Sequence, residues 1–335
     1  RSDSGYWCYQ EPLNEYLSYA AAEPDKLLEI DLESQKHFRH PELKKPYFFE
    51  FHTIVDEVAR YFHKGFSFDQ YFAAESDNFD ELKTYFTVLV NGSQGRPVFQ
   101  CCRTTGRVGR LKSECGGVHV FLWRNPWDQW WSYKKDAYFN KSNLLIINAK
   151  NLPTYLRELK KELKLPDLHD TDTITEYDYI NRGRLDAAGS YKIFYALWCQ
   201  SMLEAKPHCN LSVSIDRLSN SDAYRNELLD KLEQIGIGGL DFSDCSVPMA
   251  SYGKSDGEFF LRIEDYVHEL LLSNGYSNAQ VDELKRLSEE RKELLVVDTD
   301  APENSAVRDA MRVREYLQLA ETELAEDQRA MFVAE

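Results

Sequence analysis

Val118-His119-Val120-Phe121-Leu122-Trp123-Arg124-Asn125-Pro126-Trp127-Asp128-Gln129-Trp130-Trp131-Ser132 is the stretch on which the reading of this chain turns. Residues Val118 to Trp123 form an unbroken β-prone apolar run, which predicts a strand buried on both faces. Asn125 follows as a favourable N-cap, and Pro126 takes the first helical position, where its missing N–H costs nothing. A strand that ends in arginine and passes at once into a helix start makes an anion site. The unpaired N–H groups and dipole of the helix favour negative charge, and the guanidinium of Arg124 adds a formal positive charge on a planar fork. Ser132 stands about two turns along that helix, where a hydroxyl can serve the same ligand. The alternative for the same residues is a strand-to-helix turn whose arginine pairs with a carboxylate at the sheet edge.

Upstream, Pro97 to Cys102 reads as a second strand, Thr104-Thr105-Gly106 as a turn, and Arg107 to Ser113 as a short helix ending near Gly116-Gly117. Two parallel strands joined by a helical crossover and aimed at one crevice predict a nucleotide-binding α/β fold, a parallel sheet flanked by helices. The charge pattern agrees. The chain is acidic overall, with 40 Lys+Arg against 56 Asp+Glu and a formal charge of −16. Yet between Lys83 and Trp127 Glu114 is the only carboxylate, while Lys83, Arg96, Arg103, Arg107, Arg110, Lys112 and Arg124 are cationic. Such a local concentration steers a polyanionic ligand into a cleft. Nucleic acid is a poor partner, because the remaining surface repels a phosphate backbone.

The run Arg124-Asn125-Pro126-x-Asp128, with Ser132 on the same helix, resembles the 3′-phosphate-binding motif of the sulfotransferases that use 3′-phosphoadenosine-5′-phosphosulfate. The resemblance extends loosely from about Tyr6 to Tyr252, and only the central unit is specific. It implies the P-loop-NTPase-like α/β fold of that family, with Arg124 and Ser132 holding the 3′-phosphate. In many cytosolic members the strand corresponding to Pro97–Cys102 ends in Lys-Thr-His, whose histidine is the base; here the residues are Gln100-Cys101-Cys102-Arg103. Arg103 is then the group left to stabilise charge on the moving sulfonate. Tyr6 to Leu17, an aromatic strand followed by Glu11-Pro12, resembles the second strand of carbohydrate-type and bacterial members, in part of which a nearby glutamate is the base. Glu11 is the expected base here and Glu15 the second candidate, since a carboxylate drawn partly out of water can take a hydroxyl proton.

The family's 5′-phosphosulfate loop follows its first strand, whereas this sequence opens directly on Arg1-Ser2-Asp3-Ser4-Gly5. The expectation is therefore an α/β domain over residues 1–255 with its first βα unit lacking or disrupted, and Arg1, Ser2 and Ser4 as candidates for the 5′ site. Arg107 is a further candidate for donor binding, and Tyr252-Gly253-Lys254 for a lid over the nucleotide. The expected donor is 3′-phosphoadenosine-5′-phosphosulfate and the product adenosine 3′,5′-bisphosphate. The acceptor is a hydroxyl-bearing small molecule or carbohydrate, and no metal is called for. Two other classes stay open. A kinase-like phosphoryl transferase needs a true P-loop, and Gly106 to Ser113 lacks one because its second glycine does not directly precede the lysine. A non-catalytic or degenerate nucleotide-binding protein keeps the Arg124 site without the sulfate loop.

A length of 335 residues with 43% hydrophobic side chains suffices for one large α/β core with helical additions. The seven cysteines show no paired spacing and read as reduced thiols. With no apolar run of membrane-spanning length, the expectation is a cytoplasmic protein. His37, His40, His52 and His63 have no recognisable partner spacing and read as structural or exposed. Asp186 to Ala205 predicts a long buried helix, and the alternation of Leu211, Val213 and Ile215 predicts a strand leading into Asp216-Arg217-Leu218. Beyond residue 255 a C-terminal helical extension, 256–335, is expected from three stripes: Phe259/Ile263/Tyr266/Val267/Leu270, Val281/Leu284/Leu287 and Val307/Met311/Leu317. These helices are expected to pack on the catalytic domain or on a second subunit in a homodimer.

Overall fold

The structure, a computed structural model, describes residues 5–29, 45–133, 137–168, 185–247, 250–290 and 292. The chain is mixed α/β and mostly helical, and it divides into two compact units. The first comprises Arg1–His119 with Ala149–Asn151 and Pro207–Asn210; the second comprises Val120–Asn148, Leu152–Lys206 and Leu211–Glu335. This division falls at His119/Val120, and both helices described beyond residue 253 belong to the second unit. The stripe at Val307, Met311 and Leu317 lies outside the described residues.

In the first unit β1 (Tyr6–Gln10) pairs in parallel with β2 (Arg96–Gln100), from Tyr6 opposite Arg96 to Gln10 opposite Gln100. Parallel strands need a long crossover, and the chain between them carries the helices α1 (Val55–Tyr61) and α2 (Asp80–Asn91). Leu82, Tyr85, Phe86 and Leu89 bury one face of α2. That face meets an aromatic core of Trp7, Tyr9, Phe48, Phe51, Phe62 and Phe66. Two tyrosine hydroxyls inside this core tie strand to helix: Tyr9 donates to the Leu89 carbonyl at 3.0 Å, and Tyr85 donates to the Pro12 carbonyl at 2.8 Å. After β2 the chain turns through Thr104 to Gly106 into α3 (Val108–Cys115). A Cβ on Gly106 would lie 2.7 Å from the Tyr71 ring, so this turn requires glycine. Helix α3 ends at Gly116, which has φ +67°, near the stop expected from the paired glycines.

In the second unit β3 (Val120–Trp123) pairs in parallel with β4 (Leu211–Ser214), Val120 opposite Leu211 and Trp123 opposite Ser214. Helix α4 (Pro126–Tyr133) follows β3, then α5 (Ala137–Ile146) and α6 (Thr154–Glu162). The long helix α7 (Ala187–His208) precedes β4. Beyond β4 come α8 (Ile215–Asn220), α9 (Asp222–Gln234), α10 (Lys254–Ser273) and α11 (Asn278–Glu289). Trp127 and Trp130 of α4, Tyr191 of α7 and Phe260 of α10 pack together, with Trp127 stacked on Phe260 at 4.9 Å between centroids. Neither tryptophan is more than 1% exposed, so both are core residues rather than platforms for a ligand.

Two expectations are corrected. The strand at Val118–Trp123 is buried on one face only: Phe121 and Trp123 point inward, while Val118, Val120 and Leu122 are exposed, Leu122 to 57%. Second, β2 and β3 are not neighbours in one broad sheet. Among the described residues there are two separate two-stranded parallel pairs, β1 with β2 and β3 with β4. An apolar run of four or five residues specifies that a strand forms but carries little information about its neighbour. Among the described residues no helix is long and apolar enough to cross a membrane.

Candidate functional site

Arg124 occupies the carboxyl end of β3, one residue before the cap of α4. Asn125 caps as expected, its Oδ1 accepting the Trp127 N–H at 3.0 Å. Its Nδ2 donates to the carbonyls of Ser288 and Glu290, which ties the end of α11 to the start of α4. The guanidinium of Arg124 is 11% exposed and lies between two carboxylates. Its Nε donates to Asp216 Oδ1 at 3.0 Å, and its Nη2 lies 3.8 Å from Asp128 Oδ2. Asp216 Oδ2 in turn accepts the Asn125 N–H at 2.7 Å. The carboxylate of Asp216, at the end of β4, thus sits where the sequence places an anion: against an arginine and the first N–H of a helix start. The Arg124 carbonyl accepts from Trp198 Nε1 of α7 at 3.1 Å, which holds the strand end on the helix behind it.

Asp128, 3% exposed, connects this cluster to the segment before α10. Its Oδ1 accepts from the Tyr252 hydroxyl at 2.7 Å and from the Ala250 N–H at 3.2 Å. Burial pushes the Asp128 carboxyl up, against the lowering pull of those two bonds and of Arg124. Burial first, and the neighbouring Asp128 second, keep the Tyr252 hydroxyl protonated. Tyr252 is fully buried against Trp127 and Phe260. It anchors the start of α10, which packs the Tyr252-Gly253-Lys254 segment against α4. Ser132 donates its hydroxyl proton to the Gln129 carbonyl one turn back, at 3.0 Å, so binding a phosphate through that proton requires a rotamer change.

A second cluster lies in the first unit, at the carboxyl ends of β1 and β2. Glu11 continues the ladder by donating its N–H to the Gln100 carbonyl at 2.6 Å, yet its own φ is +47°. A non-glycine residue in that region costs on the order of 1 kcal/mol and is held there by its surroundings. Arg103, 2% exposed, bridges two carboxylates: Nη1 donates to Glu11 Oε2, and Nη2 to Glu15 Oε2 at 2.7 Å. Asn14 Nδ2 also donates to Glu11 Oε2, at 2.7 Å, and the guanidinium lies 5.0 Å from the Phe68 ring centre. The structure therefore joins Glu11 and Glu15, the two candidate bases, with Arg103 in one network.

Arg107 is turned inward. Its guanidinium is 1% exposed and donates to main-chain carbonyls: Nη1 to Gln70, Nη2 to Phe66 and to Arg103 at 3.2 Å. It clamps the turn at Phe66–Gln70. Arg1, Ser2 and Ser4 lie outside the described residues. Asp216 is the site residue that sequence reasoning left without a role. Its one signal was its position, an acidic residue directly after an alternating apolar strand; nothing local points to a partner 92 residues away.

Comparison with known proteins returned no match: no family model, no curated protein and no solved structure corresponds to this chain.

Proposed function

We propose that the chain is a sulfotransferase of the type its central motif resembles. It takes 3′-phosphoadenosine-5′-phosphosulfate as donor, with the 3′-phosphate bound at Arg124, and a hydroxyl-bearing small molecule or carbohydrate as acceptor. One observation carries this reading: Arg124 stands at the carboxyl end of a strand in a parallel pair, and the next residue caps a helix. Ligands of parallel α/β units bind at that edge. Ser132 is the second proposed contact. In the transfer, the acceptor oxygen bonds to sulfur and the bond from sulfur to the 5′-phosphate oxygen breaks. The hydroxyl proton passes to a carboxylate, and adenosine 3′,5′-bisphosphate leaves.

A competing reading draws on the Asp216 bond itself: an arginine that only ties the end of β3 to the end of β4. Calorimetric titration with adenosine 3′,5′-bisphosphate separates the two. The wild type is expected to bind saturably, and Arg124→Ala to weaken binding about 30-fold, the range for losing charge-assisted bonds to a phosphate. Absence of binding, or equal binding by the variant, leaves Arg124 as a structural tie and removes the sulfotransferase reading.

A further inference from the structure

Asp216 is 3% exposed and makes two directed bonds with one carboxylate, to the Nε of Arg124 and to the main-chain N–H of Asn125. We propose that Asp216 is the positioning residue of the donor site, fixing the guanidinium of Arg124 for a nucleotide 3′-phosphate; this rests on the donor reading given above.

A free arginine samples many rotamers, and holding it for a ligand costs conformational entropy at the moment of binding. A carboxylate on Nε sets the plane of the guanidinium beforehand and directs the terminal nitrogens away from Asp216. The second bond ties that plane to Asn125, the cap of α4, so guanidinium and helix start keep one relative geometry. Asp216 is itself held by its place in the fold. It lies at the start of α8, directly after β4, and the Ser214 side chain caps that helix by accepting the Arg217 N–H. Register does the rest, since Trp123 opposite Ser214 brings the two strand ends level. Asp128 stands on the other side of the guanidinium and is itself bonded to Tyr252 and Ala250.

The test compares two probes, adenosine 3′,5′-bisphosphate and adenosine 5′-phosphate, which differ only in the 3′-phosphate. Wild type is expected to prefer the bisphosphate, and Asp216→Asn to reduce that preference about tenfold while binding adenosine 5′-phosphate as before. A general loss of structure lowers both affinities together and so gives a different signature. Adding Arg124→Ala to Asp216→Asn is expected to lower the bisphosphate affinity no further than Arg124→Ala alone. Should Asp216→Asn melt below the assay temperature, Asp216→Glu, which displaces the carboxylate by a methylene, makes the same comparison with the same expected fall in preference. A wild type without preference for the bisphosphate overturns the donor reading and this proposal with it. A wild-type preference that survives in the folded variant overturns the role of Asp216 alone and leaves the donor reading standing.

Discussion

Arg107→Met is expected to cost about 4 kcal/mol of folding stability, measured as a shift of the denaturant midpoint at unchanged slope. The side chain is sealed in the first unit, with carbonyls of Phe66, Gln70 and Arg103 as acceptors. Methionine fills similar volume but offers no donor, so three buried acceptors lose their partner, at roughly 1–3 kcal/mol each before relaxation. Burial lowers the Arg107 guanidinium to about 10, still charged at neutral pH, so charge and carbonyl dipoles act together. Arg107→Lys keeps the charge but not the fork that reaches several carbonyls, and is expected to recover less than half of the loss. A variant within about 0.5 kcal/mol of wild type would show that the clamp contributes nothing and that Arg107 has another use.

Acid is expected to destabilise the second unit through His268. This histidine is 3% exposed, and its Nε2 lies 2.9 Å from the Tyr195 hydroxyl. Its Nδ1 has no hydrogen-bond partner among the described residues. Burial, and then the positive charges of Lys285 and Lys292, push it down from 6.5 to about 4. The unfolded chain therefore binds the proton more readily than the folded one throughout that interval. Stability from the neutral imidazole is fully present above about pH 6.5 and is lost as pH falls towards 4, a gap worth about 3 kcal/mol. Between pH 7 and pH 4.5 the wild type should lose about 2 kcal/mol more than His268→Phe, whose ring fills the site without titrating. Equal losses in the two proteins would show that His268 does not sense the proton. Glu264 lies on the same helix, α10, fully buried, accepting from Trp127 Nε1 at 2.6 Å and Tyr191 at 2.7 Å and paired with Lys292.

What could be read beforehand follows from how local each interaction is. The start of α4 was legible because Asn125 and Pro126 carry their capping chemistry within two residues of the strand end. The stop at Gly116 is likewise local, and α7, α10 and α11 follow from apolar spacing along one helix. Pairing was not legible. Strand β3 joins β4 across 91 residues, from Val120 to Leu211, and β2 joins a strand that comes before it in the chain. The same limit explains the arginines. Positive charge concentrated between Lys83 and Trp127 suggested a stripe facing a ligand, but a net count does not tell an outward guanidinium from one turned inward. Arg103 and Arg107 are both turned inward, one onto carboxylates and the other onto carbonyls. Arg124 was placed correctly at a strand end beside a helix start, whereas its carboxylate neighbour Asp216 arrives from a distant strand.

In the proposed donor site Arg124, held by Asp216 at the start of α4, receives a nucleotide phosphate. The most direct measurement is a structure of the protein with adenosine 3′,5′-bisphosphate. The 3′-phosphate is expected within about 3 Å of a terminal nitrogen of Arg124, with the Asp216 to Arg124 Nε bond retained. Arg124 bound only to Asp216 and Asp128, with the nucleotide absent or its phosphate elsewhere, would contradict it.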